Sequence, residues 1–331
     1  MAFQAARRLA DAGRQLRSRY LDTIRAIRGP LARTHHAGLP MRIGMTLLVR
    51  DEADIVAATI EHALASGVDF IIATDNGSVD GTVEVLEAYR DLGLLELWHE
   101  PSHTYEQGRW VTRMARHAAA RGASWVINAD ADEFLWPADN GGRGLKELLG
   151  AIDPGLGLLV LNPDHHWIDP NLTGKWPDRA VLMETRPYYG PDSPHVWKVA
   201  HRADRNARVR QGNHSADGPL VGPMAHARPI RVMHFPDRGY THYERKIRNG
   251  GSAYAANPRF GGAVGSHWRK DYELLLDGKL AAEYERRQRL RHVIEKHIAD
   301  GSWAYDFRVR DHLRALLPRA LRPDLLKAVV D

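Results

Sequence analysis

The 331-residue chain predicts an α/β fold in which a mostly parallel sheet carries helices on both faces. Three observations lead there. Between residues 42 and 129, short apolar runs alternate with stretches of helical spacing, the pattern of successive strand–helix–strand units. Three polar clusters, Arg50-Asp51-Glu52, Asp75-Asn76-Gly77-Ser78 and Asp130-Ala131-Asp132, each follow a strand-length apolar run. In an open parallel sheet, ligands bind beyond the carboxyl ends of the strands, so the fold and the polar clusters point to one place.

The elements follow in order. Ile43–Val49 reads as an apolar strand, and Asp54–Ser66 has helical spacing. Phe70–Thr74 is the second strand and Gly81–Asp91 the second helix. Leu94–Trp98 is the third strand, Tyr105–Arg121 a long helix rich in Ala and Arg, and Trp125–Ala129 the fourth strand. After Pro137 the pattern weakens, with a helix over Gly144–Ile152 and a strand over Gly157–Leu161. Residues 163–223 mix short apolar runs with Pro, Gly, His and Trp. Arg228–Phe235 is a strand, and a helix follows from Tyr240. Asn257–Gly265 is a Gly-rich break, and residues 268–331 are mostly helical, charged and without a motif. No internal repeat is visible. The expected organisation is a basic helical arm over 1–40, an α/β domain over 41–265 and a helical extension over 266–331.

Composition excludes several classes. There is no cysteine, hence no disulfide framework and no thiolate nucleophile or ligand. No run approaches the ~18 apolar residues of a membrane span, and the N-terminus lacks the apolar core of a secretory signal. A cytoplasmic protein is expected. The net charge of +5 is unevenly placed: Arg7, Arg8, Arg14, Arg17, Arg19, Arg25, Arg28 and Arg33 face only Asp11 and Asp22 before residue 41, a net +6, so the rest sums to −1. A near-neutral body argues against nucleic acid as a partner, which calls for a basic face. Within the arm, Leu9, Leu16, Tyr20, Leu21, Ile24, Ile27 and Leu31 form a helical stripe. Residues 1–36 could lie on an anionic membrane surface, or the stripe could pack on the body or on a second subunit.

The most informative stretch is Trp125-Val126-Ile127-Asn128-Ala129-Asp130-Ala131-Asp132-Glu133-Phe134. A strand that needs burial runs into carboxylates that cannot be buried unpaired. Asp-x-Asp offers oxygens for one hard divalent cation, Mg²⁺ or Mn²⁺; the alternative is a solvated acidic turn. Asp75 ends the second strand, where a carboxylate could accept from a base or ribose donor. Ser78 and Asp80 suit capping of the helix that follows.

These motifs resemble a known family. Asp75-Asn76-Gly77-Ser78-Val79-Asp80-Gly81-Thr82 is similar to the D-D-G-S-x-D-G-T signature of inverting glycosyltransferases of family 2, with Asn76 in place of the second Asp. Val49-Arg50-Asp51-Glu52-Ala53 and Asp130-Ala131-Asp132-Glu133-Phe134 resemble the V-R-N-E-A and D-x-D-E-F motifs of one branch. The run from His234 to Lys246 resembles that branch's H-Y-x-x-R-S-x-x-x-F-x-x-K, with Gly239 replacing the Ser. The resemblance covers roughly residues 42–250. It implies a GT-A, Rossmann-like fold, a nucleotide-sugar donor, a saccharide or lipid-linked acceptor, a divalent metal and inversion.

Under that resemblance Asp130 and Asp132 would hold the metal, and His234 or His214 would complete its shell. Asp75 would read the base, uracil by resemblance, with Asn76, Arg50 and Glu52 lining the nucleotide pocket. Asp130 could instead touch ribose, and Glu133 could steer Asp132. Arg238 and Lys246 would face the diphosphate as cations. Inversion needs a general base, and the usual acidic motif is not recognisable. Asp164 and Asp217 are the candidates, with Asp192 a third. Trp167, Trp176, Tyr188, Tyr189 and Trp197 offer surface for a sugar acceptor or, as aromatics commonly do, fill the core. Two other classes compete: a nucleotide-sugar-binding scaffold without turnover, and a nucleotidyltransferase. The second calls for a Gly-rich phosphate loop after the first strand, where Leu47–Asp54 has no glycine. An NAD oxidoreductase fails for want of Gly-x-Gly-x-x-Gly there.

Overall fold

A computed structural model describes residues 40–102, 106–138, 142–185, 197–256 and 266–331. The arm, Tyr188, Tyr189, Asp192 and the Asn257–Gly265 break lie outside the described residues. The strands are β1 (Ile43–Val49), β2 (Phe70–Asp75), β3 (Leu95–His99), β4 (Trp125–Asp130), β5 (Glu133–Pro137), β6 (Leu158–Trp167), β7 (Leu182–Glu184), β8 (Lys198–Arg202), β9 (Arg208–Val209), β10 (Ala216–Asp217), β11 (Ile230–His234) and β12 (Trp303–Tyr305). The helices are α1 (Val56–Ala65), α2 (Thr82–Arg90), α3 (Gln107–Ala120), α4 (Leu145–Gly150), α5 (Trp176–Arg179), α6 (Tyr240–Ala256), α7 (Ser266–Leu276), α8 (Leu280–Arg287), α9 (Arg291–Ala299), α10 (Arg308–Leu316) and α11 (Pro323–Val330). No helix among the described residues is long and apolar enough to cross a membrane.

The α/β class expected from the alternating pattern is what the chain forms. Strands β3, β2, β1 and β4 run parallel in that order. Beyond β4 the sheet continues through β8, β6, β7 and β12 in antiparallel pairings. Strand alternation sends side chains to two cores. Ile71, Ala73, Trp125 and Ile127 join the core under α1 and α2, while Phe70, Ile72 and Val126 join the one under α3. Gly44 lets α3 sit close to β1: a Cβ there would stand 3.0 Å from the Phe70 ring and 3.1 Å from Ala118 Cβ.

Two strand readings change. Glu133–Pro137, unassigned in the sequence, is β5, which pairs antiparallel with β11. Asp164, expected after a strand end, lies inside β6. That strand trades partners, pairing with β8 over Leu158–Leu161 and with β11 over Asn162–His165. Pro163, which has no N–H to give a ladder, falls at the change of partner.

The tail is part of the main core. Leu313, Leu326, Val329 and Val330 are buried in the cluster formed by β1 and α1. The buried Glu61 carboxylate of α1 accepts the backbone N–H groups of Leu321 and Arg322 at 3.0 and 2.7 Å.

Candidate active site

The polar clusters meet at the carboxyl ends of β1, β2 and β4. A cavity of about 280 Å³ there is lined by residues of those ends (Val49, Arg50, Asp51, Glu52, Asn76, Asp130, Asp132), by His234, and by α6 and α7 (His242, Arg245, Lys246, Asn249, Trp268).

Two tight turns form its floor, and each holds the other. Asp51 sits at φ 56°, a left-handed conformation that Asp and Asn tolerate better than most residues. Its carboxylate accepts the N–H of Val79 at 2.8 Å and the amide of Asn249. In return, Ser78 Oγ accepts Asp51 N–H at 2.9 Å, Thr82 Oγ accepts Glu52 N–H at 2.8 Å and Asp80 accepts Ala53 N–H at 3.2 Å. Ser78 thus clamps the turn after β1 and does not cap α2, whose N-cap position is Gly81 with no side-chain cap, while Asp80 clamps that turn and also accepts the Thr82 N–H at 3.1 Å. Asp75 is buried, and its carboxylate accepts the N–H groups of Gly77 at 3.0 Å and Ser78 at 3.2 Å. It holds the turn and is not among the cavity's lining residues. Asn76 lines the cavity, and its amide donates to the carbonyls of Glu100 and Ser102 at 2.7 and 2.8 Å.

The metal-type cluster is made by register. Strand β11 lies beside β5 with His234 opposite Glu133, and Phe235 N–H donates to the Asp132 carbonyl at 2.9 Å. One ligand atom each from Asp132, Glu133 and His234 lies within 4.8 Å of the others. Two carboxylates and an imidazole are a donor set that can hold a divalent cation. Lys246 Nζ stands 3.1 Å and His234 Nε2 3.4 Å from Asp132 Oδ2. Burial alone would raise the Asp132 carboxyl, but Lys246, His234 and Arg238 outweigh it and hold the group well below the usual carboxylate range. Burial pushes Glu133 the other way, up, against the opposing pull of Lys198.

Other expected residues take different places. His214 bonds the Trp197 carbonyl at 2.6 Å and is outside both the cluster and the cavity lining, so of the two histidines it is His234 that joins Asp132. Arg238 has no exposed side-chain surface. Its guanidinium is forked onto Asp54 at 2.7 and 3.0 Å, contacts Glu52, and donates to the Phe235 carbonyl. It pins α6 to the turn after β1 instead of facing a diphosphate. Asp164 is buried, with both oxygens engaged by Arg231. Asp217 is exposed on the β9–β10 ribbon and pairs with Arg210 at 2.8 Å. Neither lines the cavity. Trp167 donates to Glu184 at 2.8 Å and has Arg289 over its ring, and Trp176 is core.

Residues 45–154 match the family model described as Glycosyltransferase family 92. The matched segment runs from within β1 to just past α4 and contains the floor turns, Asp130, Asp132 and Glu133. The motifs pointed to family 2, and the family model that matches is another glycosyltransferase family. Among curated proteins none matches the chain. Solved structures similar to it include S. aureus TarS 1-349 in complex with UDP (11% identity, 88% of this chain and 83% of that chain, TM-score 0.39). GalNAc-T7 with UDP, GalNAc and Mn²⁺ is similar at 13% identity over 76% of this chain and 59% of that one, TM-score 0.38. Glucosyl-3-phosphoglycerate synthase from Mycobacterium tuberculosis is similar at 14% identity over 70% and 85%, TM-score 0.36. At such scores none of these likenesses carries an argument about the site, which is read from its own residues.

Those residues include several that the sequence did not single out. Lys198, on β8, is 7% exposed and contacts both Asp130 and, at 3.0 Å, Glu133. Gln107, Asn213, His242, Arg245, Asn249 and Trp268 also build the site. Arg245 and His242 lay within the quoted run from His234 to Lys246. A lysine in the otherwise apolar stretch Val196-Trp197-Lys198-Val199-Ala200 was the one signal for Lys198.

Proposed function

We propose that this chain is a metal-dependent glycosyltransferase that moves a hexose from a nucleoside diphosphate sugar, UDP-linked by the motif resemblance, to a saccharide or lipid-linked acceptor with inversion. The observation that carries the reading is the cavity at the parallel strand ends. It is lined by Asp130, Asp132 and His234 and also by Arg50, Arg245 and Lys246, within and beside a segment that matches a glycosyltransferase family.

A divalent ion, when bound, would neutralise the charge that builds on the leaving diphosphate. Asp132, Glu133 and His234 are the residues to hold it, with Mn²⁺ or Mg²⁺ the expected ions. Lys246 and Arg245 reach the cavity from α6 and supply positive charge at its wall, where phosphate oxygens are stabilised by point charge and by fork geometry. The αL turn at Asp51 fixes the backbone after β1, so Arg50 and Glu52 present to the nucleotide side without rearrangement. Asp75 supports that side by holding the turn that carries Asn76.

The test is a donor screen with UDP-, GDP- and dTDP-sugars, with and without Mn²⁺. Thermal stabilisation by mass action is followed by product detection with saccharide acceptors. A raised melting temperature and metal-stimulated transfer or donor hydrolysis with one donor class support the reading. No binding of any nucleotide sugar in either condition sinks it.

A further inference from the structure

A row of rings leads away from the cavity wall. His165 and Trp167 alternate with the buried His166 on β6, so both project from one side of the strand. The His165 ring lies 5.0 Å from that of His234, which lines the cavity, and Trp167 stacks on His165 at 6.1 Å. Arg289, between α8 and α9, continues the row. Its guanidinium carbon stands 4.2 Å from the centre of the Trp167 ring and 5.4 Å from that of Trp303 in β12. The neighbouring arginines are paired: Arg286 with Glu283, Arg287 with Glu283 and Asp271, Arg291 with Glu295. Arg289 makes no hydrogen bond or ion pair among the described residues, and its Nε is buried without a partner, although the residue as a whole is only half-buried. Burial lowers its pKa, outweighing the pull of Asp237 and Glu184. Enclosing this cation therefore carries a cost that no neighbour offsets.

We propose that Arg289 anchors an acceptor subsite that takes an oxyanion, a carboxylate or phosphate carried on the saccharide acceptor. The assignment rests on the glycosyltransferase reading above and deepens it by naming the acceptor's chemical class. Trp167 and Trp303 flank the guanidinium and occupy none of its N–H donors. Those donors bind an oxyanion best, through paired charge-assisted hydrogen bonds. A side chain already held between two rings loses little freedom when the ligand arrives, and the anion offsets the cost of burial. The row back through Trp167 and His165 to His234 sets the anion beside the cavity, so a sugar held by its charge can offer a hydroxyl there. A purely structural clamp would pair Arg289 with Glu184. That carboxylate instead accepts Trp167 Nε1 at 2.8 Å, which fixes the ring and leaves the guanidinium open.

Calorimetric titration of the full chain with D-glucuronate, glucose 6-phosphate and glucose, at matched ionic strength, tests the subsite without turnover. The first two probes separate a carboxylate from a phosphate. At least one of them should bind about tenfold or more tightly than glucose, and Arg289→Gln should remove that preference. Arg291→Gln, at an exposed neighbour, should keep it. Arg289→Lys retains the charge but not the fork and should keep only part of it. Anions bound no more tightly than glucose would overturn the proposal. So would a preference that survives Arg289→Gln and disappears in Lys246→Gln, because the anion would then sit in the cavity. Should Arg289→Gln not fold, Arg289→Lys decides in the same titration, and an affinity equal to that of the unaltered chain would overturn the subsite. Failure of every nucleotide sugar to bind, with Arg289-dependent anion binding intact, would count against the proposed reaction and not against the subsite.

Discussion

Asp132 and Arg238 are both conspicuous charges near the cavity, yet their substitutions should fail in different ways. Asp132→Asn keeps the shape and removes the charge that Lys246 and His234 face. Transfer should fall at least about a hundredfold with the fold retained, since a metal-supported leaving group is worth several kcal/mol; near-normal activity in Mn²⁺ would reject the assignment. Arg238→Ala leaves Glu52 and Asp54 without their buried cation. The expected loss is about 3–5 kcal/mol of stability, read as a shifted urea midpoint. The residue scale is also where the sequence was most unevenly legible. Asp132, His234 and Lys246 were named from their motifs and do converge. Arg238 and Asp164 were read as reactive because sequence shows a charge but not its partner, and here the partners, Asp54 and Arg231, lie in other segments. Lys198 was hidden because a strand of its type is expected to be apolar, and its carboxylates lie more than sixty residues earlier.

At the scale of elements, α6 does the most to shape the site. One turn of it presents Arg245 and Lys246, the next Asn249, and then come two glycines. Glycine within a helix costs about 1 kcal/mol relative to alanine, and packing explains its presence here. A Cβ on Gly250 would stand 2.6 Å from the Trp268 ring, and one on Gly251 would stand 2.5 Å from Tyr272. The pair lets α7 close on α6 and sets Trp268 into the cavity wall. Gly250→Ala should therefore destabilise by about 1–3 kcal/mol through overpacking and weaken UDP binding by calorimetry. An unchanged UDP affinity would show that the Trp268 wall does not touch the nucleotide. The helices and parallel strands through β4 were legible because their periodicity is local. The β5–β11 and β6–β8 pairings were not, because register between distant short strands leaves no periodic trace.

Across the whole molecule, the packing of the tail on α1 makes stability depend on pH. His62 of α1 is buried, with its Nε2 at 2.7 Å from the Leu135 carbonyl and its ring 5.0 Å from that of His312 in α10. Burial, aided by His312, lowers its pKa from 6.5 to about 3. The unfolded chain thus takes up this proton first. The contribution is complete above the unfolded value of 6.5 and is lost as pH falls from there towards about 3. His62→Phe should flatten the stability slope below neutrality by up to about 1.4 kcal/mol per pH unit, as measured by urea midpoints from neutral pH to about pH 5. A variant slope equal to the original would show that His62 is not held neutral. The arm stands apart from this core in charge, with +6 before residue 41 against −1 afterwards. Deleting residues 1–36 should spare transfer to a soluble acceptor and abolish salt-sensitive binding to anionic vesicles, each basic residue contributing about 1 kcal/mol. An insoluble deletion, with no vesicle binding by the full chain, would place the stripe against protein instead.

The docking of Leu326, Val329 and Val330 into the core of β1 and α1 also sets an order of events at the ribosome. The residues of the cavity all lie before position 269, but the pocket beneath α1 stays open until residue 330 has emerged. Such distant pairing makes folding slow, because a very long loop must close before its contacts are made. A growing chain would already carry every cavity-lining residue while an apolar trough remained uncovered beside them. Synthesis at a slower pace, or a chaperone that shields that trough, should raise the yield of native protein more than any change within the cavity.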